Sequence, residues 1–289
     1  MRVITISKEI TKILLPKVDV IFRLLFGDKR NIEILTDFLK SVLDLADDEY
    51  ESITLEDTHL KRETVDDKLG IVDVRLTTKS GKIVHIEMQI LEQDDFPERV
   101  AYYNAKMLVT QLKSGNDYKF QKTISIVISD FEIVENSPKC HHKFQLNDVE
   151  TGVKFTDVIE INTLELGKIP TQDESKTKYD WLRFLKAERE EEFDMLAEKN
   201  PVIKKAVVEL KRLSQSEEAQ RLYDARQKAI WDENSRLRTA INKRDAEIIA
   251  NAIKIGLSNE QISKMTGLSL PEIEKHKNKV VPLTVPSTK

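Results

Sequence analysis

Two runs of alternating apolar and polar residues, 71–77 and 82–90, flank Lys79-Ser80-Gly81. A chain that holds them has few ways to fold around them. Strand side chains alternate between faces. In the first run Val72, Val74 and Leu76 share one face, and Asp73 and Arg75 the other. In the second, Val84, Ile86, Met88 and Ile90 share one face, and His85, Glu87 and Gln89 the other. Both apolar faces must meet the core, and a slip of one residue turns a whole set toward solvent. A two-residue turn at Ser80-Gly81 pairs Asp73 with Met88 and misplaces one apolar face. A three-residue loop pairs Thr78 with Lys82 and Asp73 with Glu87, with Gly81 in the left-handed conformation such loops favour. The second register is the one expected.

That register sets two carboxylates opposite each other, with β-carbons about 4.5–5.5 Å apart, where like charges destabilise a strand pair. A divalent cation relieves the repulsion. Mg²⁺ prefers carboxylate and carbonyl oxygens, keeps several waters, and binds through one or two carboxylates plus substrate phosphate. The backbone carbonyl of Met88 is a further candidate ligand. The alternative is a solvent-exposed pair neutralised by Arg75, His85 or a lysine, and the pattern alone does not choose between the two.

Around the hairpin the chain reads as α/β. Residues 18–26 form a short apolar helix with Asp19 and Arg23, and Ile32, Leu35, Leu39, Val42 and Leu43 a helical stripe. Residues 51–60 read as an edge strand. Residues 96–115 read as a helix with Pro97 in its first turn and Gly115 at its end. Residues 122–131, 142–147 and 156–162 read as strands. The α/β domain is expected to span 1–170. A charged helical region, 171–244, follows, with helices at 175–193, 201–213 and 215–244. The last is read as a solvated arm suited to homo-oligomer formation. Residues 280–289 are read as a disordered tail.

Composition removes several classes. Charged residues interrupt every candidate membrane-spanning run, and residues 1–17 lack a signal-peptide core and cleavage site. The single cysteine, Cys140, excludes an internal disulfide framework and suits a reducing, cytoplasmic setting. Cys140-His141-His142 has adjacent ligands but no second pair at zinc spacing. The net charge of −4 argues against binding nucleic acid by bulk charge.

Four segments in order resemble one family. VDVIFRLLFGD, with Asp19, Phe22 and Arg23, is similar to an opening D-x-x-F-(K/R) motif. DDKLGIVDVR surrounds the first acid, Asp73. IEMQ, with Glu87, Met88 and Gln89, follows fourteen residues later. RVAYYNAKM, with Arg99, Tyr102 and Tyr103, resembles an R-x-x-Y-Y helix. Together they resemble the PD-(D/E)xK nuclease motif in the ExQ form of the Rpn-type recombination-promoting nucleases, also described as transposases, over residues 15–170 and more loosely beyond. The resemblance implies a restriction-endonuclease-like mixed sheet flanked by helices, and metal-dependent hydrolysis of DNA phosphodiesters near the nucleoid. It implies Asp73 and Glu87 as ligands of Mg²⁺ (or Mn²⁺ or Ca²⁺), with Gln89 as a catalytic residue. Gln89 stands where the wider superfamily has lysine; it cannot supply a cation but can orient water or phosphate. Lys68, Arg23 and Arg99 are candidates for the missing cation. Asp19 is a candidate metal or water contact, or simply a helix N-terminal acid. Tyr102 and Tyr103 contact the DNA backbone or pack beneath the site.

Residues 245–279 resemble a helix-turn-helix. Ser258 with Gln261, and Ser269 with Glu272, have capping-box spacing. Ile248, Ile249, Ala252 and Ile253 are the expected core of the first helix. The acids Glu272 and Glu274 stand where a DNA-reading helix leads into the groove. DNA contact and a packing module therefore both remain open. For the whole chain the alternatives are an active endonuclease, an inactive DNA-binding scaffold on a nuclease fold, and an oligomeric structural protein.

Overall fold

The computed structural model describes residues 13–56, 74–112, 118–171 and 177–279. They fall into two units, within Ser7–Arg226 and within Gln227–Lys289. The first is built on a mixed six-stranded sheet. Its strands are β1 (Thr54–Leu55), β2 (Val74–Thr77), β3 (Ile83–Gln89), β4 (Thr123–Ser129), β5 (His141–Asn147) and β6 (Lys154–Glu165). The spatial order is β1-β2-β3-β4-β6-β5. The central pairs β3–β4 and β4–β6 are parallel, and the outer pairs are antiparallel.

The hairpin adopts the register expected from its pattern. Val74 lies opposite Ile86, and Leu76 opposite Val84. The Thr78 N–H donates to the Lys82 carbonyl at 2.9 Å, and Gly81 closes the loop at φ +89°. At that φ an L side chain is strained, which is why the loop needs glycine. Residues 71–73 lie outside the described residues, so the expected pairing of Asp73 with Glu87 does too.

The loop is also gripped from outside. Glu49, on a short 3-10 turn (Asp47–Tyr50), accepts hydrogen bonds from Thr78 Oγ1 at 2.7 Å, Ser80 Oγ at 2.7 Å and the Lys82 ammonium. The Lys82 bond, then that of Thr78, hold its carboxyl down at about 2.

Each face of the sheet is covered by helices, because both faces of its middle strand, β4, are buried and apolar or small. On one face Ile124, Ile126 and Ile128 meet α1 (Asp19–Phe26), α2 (Ile32–Val42), α4 (Thr177–Lys186), α5 (Glu190–Lys199) and α6 (Pro201–Ser214) in a continuous core. Trp181 lies at its centre, 5.7 Å from Phe26, 6.1 Å from Phe38 and 5.6 Å from Phe184, and donates to Asp37 at 2.8 Å. On the other face α3 (Phe96–Val109) buries Phe96 and Val100 against Val127. Asn104 reaches β4 polar groups, bonding Ser125 at 2.9 Å and Thr123 at 2.8 Å.

Some boundaries differ from those expected. The helix expected over 175–193 is two helices, since α4 stops at Lys186 and α5 begins at Glu190. Composition places a domain limit at 170, but the core continues through α4, α5 and α6 to Ala219. The residues that carry it there (Trp181, Phe184, Phe193, Leu210) are apolar anchors within a charged stretch, and their spacing does not say which core they join. The limit at 244 lies inside α7, a continuous helix from Glu217 to Lys254.

In the second unit the C-terminal part of α7 is followed by α8 (Asn259–Thr266) and α9 (Leu270–Lys279). Both capping pairs form: Ser258 and Gln261 bond reciprocally, and Glu272 accepts from the Ser269 N–H at 2.8 Å. Gly267, at φ +74°, ends α8. Ile249, Ala252, Ile262 and Ile273 form the core. Ile253, expected inside, is exposed, because the helical period carries it past the buried stripe. Among the described residues no helix is long and apolar enough to cross a membrane.

Two outcomes test this reading. Glu49→Gln should lower stability by about 1.5–3 kcal/mol, the range for bonds to a charged acceptor. Because folding lowers the Glu49 pKa, its contribution is present above about pH 4.5 and is lost as pH falls toward about 2. The wild type and Glu49→Gln should therefore converge in stability across that window in denaturant titrations. Ile262→Ala should cost about 2–5 kcal/mol in the C-terminal unit, seen as early loss of amide protection confined to residues 245–279.

Candidate active site

Glu87 and Gln89 lie on β3, at successive positions of the face that α3 covers. Glu87 is nearly buried, with 9% of the residue exposed. A buried carboxylate is costly unless paired, and Arg99, one turn into α3, supplies the pair: its Nη2 donates to Glu87 Oε1 at 3.0 Å. Arg99 is itself oriented by a bond to Gln93 and by the Phe96 ring, 5.0 Å from its guanidinium carbon. Pro97 in the first turn and the Arg99 N–H bond to Asp95 fix the start of the helix that aims it.

The side-chain amide of Gln89 donates to the Leu91 carbonyl at 2.7 Å. Its backbone carbonyl accepts from the Asp130 N–H at 3.3 Å, just past the end of β4. Met88 turns its side chain to the opposite, apolar face.

The other expected residues are placed apart from this contact or outside it. Asp73 and Lys68 lie outside the described residues. Asp19 is buried at the start of α1 and is gripped by Arg226 of α7, with contacts of 2.9 Å to Oδ1 and 2.5 Å to Oδ2. Arg23 is half-buried, and its Nε has no hydrogen-bond partner among the described residues. Tyr102 is exposed and Tyr103 half-buried, with their rings edge to face at 5.4 Å. Arg75, one of the groups that could neutralise a hairpin carboxylate, pairs at 2.8 Å with Glu56.

Two groups escaped sequence reasoning. Lys17 donates to Asp130 at 3.1 Å and to Glu188 at 2.6 Å. Burial opposes its charge, but the Glu188 bond and the Asp130 charge outweigh it and raise its pKa. Arg226 on Asp19 is the second. These partners are separated by more than a hundred residues, so no spacing in the chain announces them.

Within Cys140-His141-His142 both histidines bond to other groups. Cys140 is buried. His141 bonds Asn162 and Lys178, each at 3.0 Å, and burial followed by the nearby lysines lowers its pKa. His142 bonds Ser137 at 2.7 Å. Among the described residues no three His, Cys, Asp or Glu side chains converge to hold a metal. Carboxylate oxygens are the right donor type for a hard divalent ion. Of the two expected carboxylates, Glu87 is the one within the described residues.

A model of the PD-(D/E)XK nuclease family transposases matches residues 16–240. No curated protein and no solved structure matches the chain. The mixed sheet, its flanking helices and a match over most of the length lead to one conclusion: this chain belongs to the PD-(D/E)XK nuclease family transposases.

Proposed function

We propose that the protein is a metal-dependent DNA endonuclease that hydrolyses phosphodiester bonds in recombination or mobile-element activity, acting on nucleoid DNA in the cytoplasm. The observation that carries this reading is the Glu87 carboxylate, nearly buried on a central strand and paired with Arg99 at 3.0 Å. A carboxylate with only a packing role gains nothing from that burial, because an apolar residue of similar volume is often no less stable there.

Asp73 and Glu87, with the Met88 carbonyl, would hold Mg²⁺, Mn²⁺ or Ca²⁺. When bound, such an ion polarises a phosphate and lowers the pKa of a bound water. The remaining work falls to the chain. Arg99 takes the place of the superfamily lysine: it holds the Glu87 carboxylate in one orientation and offers positive charge to a phosphate. Gln89 orients water through its amide, which the Leu91 bond holds in place. Asp19, clamped by Arg226, fixes α1 and has a structural role in this reading. Tyr102, exposed on α3, is the tyrosine that meets the DNA backbone, while Tyr103 packs. The helices after residue 170 serve as a candidate homo-oligomer surface.

The test is supercoiled-plasmid cleavage by purified protein with Mg²⁺, Mn²⁺, Ca²⁺ or EDTA. Metal-dependent nicking is expected, abolished in Asp73→Ala and Glu87→Ala proteins that fold normally by circular dichroism. Intact plasmid with every metal, together with a retained gel shift, would favour the inactive DNA-binding scaffold. Activity surviving in both variants would move the active site elsewhere. Arg99→Ala should reduce cleavage by about 10²–10³-fold, the cost of removing one preorganised electrostatic group. Arg99→Lys should retain more activity than Arg99→Ala, since a cation remains but the planar fork is lost.

A further inference from the structure

Five of the exposed large apolar side chains lie on one hairpin. Phe144 and Leu146 are on β5, Val149 and Val153 at the tip, and Phe155 on β6, with Val149 99% and Phe155 87% exposed. The tip is ordered by its own bonds: Asp148 accepts from Thr151 N–H at 2.8 Å and Oγ1 at 2.6 Å. β5 ends the strand order, so among the described residues no strand lies on its outer side. A sheet edge of this kind is a template for another strand unless charge or proline guards it. β5 contains no proline, its pairing with β6 is regular from His141 to Gln145 with register shifts only beyond, and its one lysine, Lys143, is drawn to Asp44 at 2.6 Å.

The backbone alternation shows what the edge offers. The Glu165 N–H donates inward to the Cys140 carbonyl at 2.8 Å. Hydrogen-bonding direction alternates along an antiparallel strand, so the N–H and C=O groups of His141, Lys143 and Gln145 face outward. A second β5 laid antiparallel can bond Lys143 of one copy to Gln145 of the other, with no like charges opposed. The two Phe144 side chains then meet at the two-fold axis, at a non-hydrogen-bonded pair where side chains approach most closely.

Charge favours the same arrangement. The entry to β5 carries an exposed cation, Lys139. The tip beyond it is acidic, with Asp148 and Glu150 exposed. An antiparallel pairing sets each basic entry beside the other copy's acidic tip, twice, as a self-complementary two-fold interface requires. We propose that β5 pairs with β5 of a second copy of this chain, forming a dimer through the sheet edge with Phe144 at its centre. This surface is distinct from the C-terminal helices, and the inference stands apart from the nuclease reading.

The experiment is sedimentation equilibrium of the full chain, with circular dichroism on every variant. The wild type should dimerise with increasing concentration. Phe144→Glu, which opposes two like charges at the axis, should weaken association by about tenfold or more. Lys139→Glu and Glu150→Lys should each weaken it alone, because each homodimer then opposes like charges. Mixed together, they should restore it, because the heterodimer regains opposite charges at both ends. Rescue on mixing cannot arise from misfolding. A wild type that stays monomeric, or a dimer unaffected by all three substitutions, would overturn the proposal.

Discussion

The position of Glu87 depends on the three-residue loop Lys79-Ser80-Gly81. With Gly81 at φ +89°, Val74 meets Ile86 and Leu76 meets Val84, so all four apolar side chains enter one core. The same alternation sends Glu87 and Gln89 to the opposite face, under α3. A slip of one residue would bury Glu87 and Gln89 in the apolar core and expose the valines, so core packing and the placement of Glu87 are set by one register. Glu49 reinforces that register from outside the hairpin by holding Thr78, Ser80 and Lys82 together.

Each of the other buried charges is compensated by a partner, and most of these partners lie far away in sequence. Arg99 serves Glu87, Arg226 serves Asp19, and Lys17 bridges Asp130 and Glu188. Glu160 takes Lys122 at 2.7 Å, and that bond with those of Asn162 and Gln145 overcomes burial and lowers its pKa. Glu165 takes Lys168 at 2.8 Å and the N–H groups of Ile133 and Val134. Removing one partner from such a pair costs more than the pair contributes, because the other charge is left buried. The groups around β3 and β4 are thereby held in fixed geometry.

The aromatic cluster explains why the nuclease-like sheet and the helices after residue 170 form one core. Trp181 touches Phe26 of α1 and Phe38 of α2 as well as Phe184 of its own helix. Its indole N–H, which must find a partner when buried, is satisfied by Asp37 of α2. Arg226 on Asp19 ties the start of α7 to the same assembly. The charged helical stretch therefore includes structural parts of the domain that carries Glu87.

The chain alone determined what depends on local pattern. Alternation over 71–77 and 82–90 determined the hairpin register, the left-handed glycine and the common face of Glu87 and Gln89. Capping spacing and a terminal glycine determined α8 and its end at Gly267, and the ordered motifs pointed to the PD-(D/E)XK family. Tertiary structure decided the rest. It chose Arg99 as the cation on Glu87, gave Asp19 to Arg226, divided the 175–193 segment into two helices, and carried the core past residue 170. Local periodicities are written in neighbouring residues. The partner of a buried charge is chosen by which distant element packs beside it, and spacing along the chain holds no record of that choice.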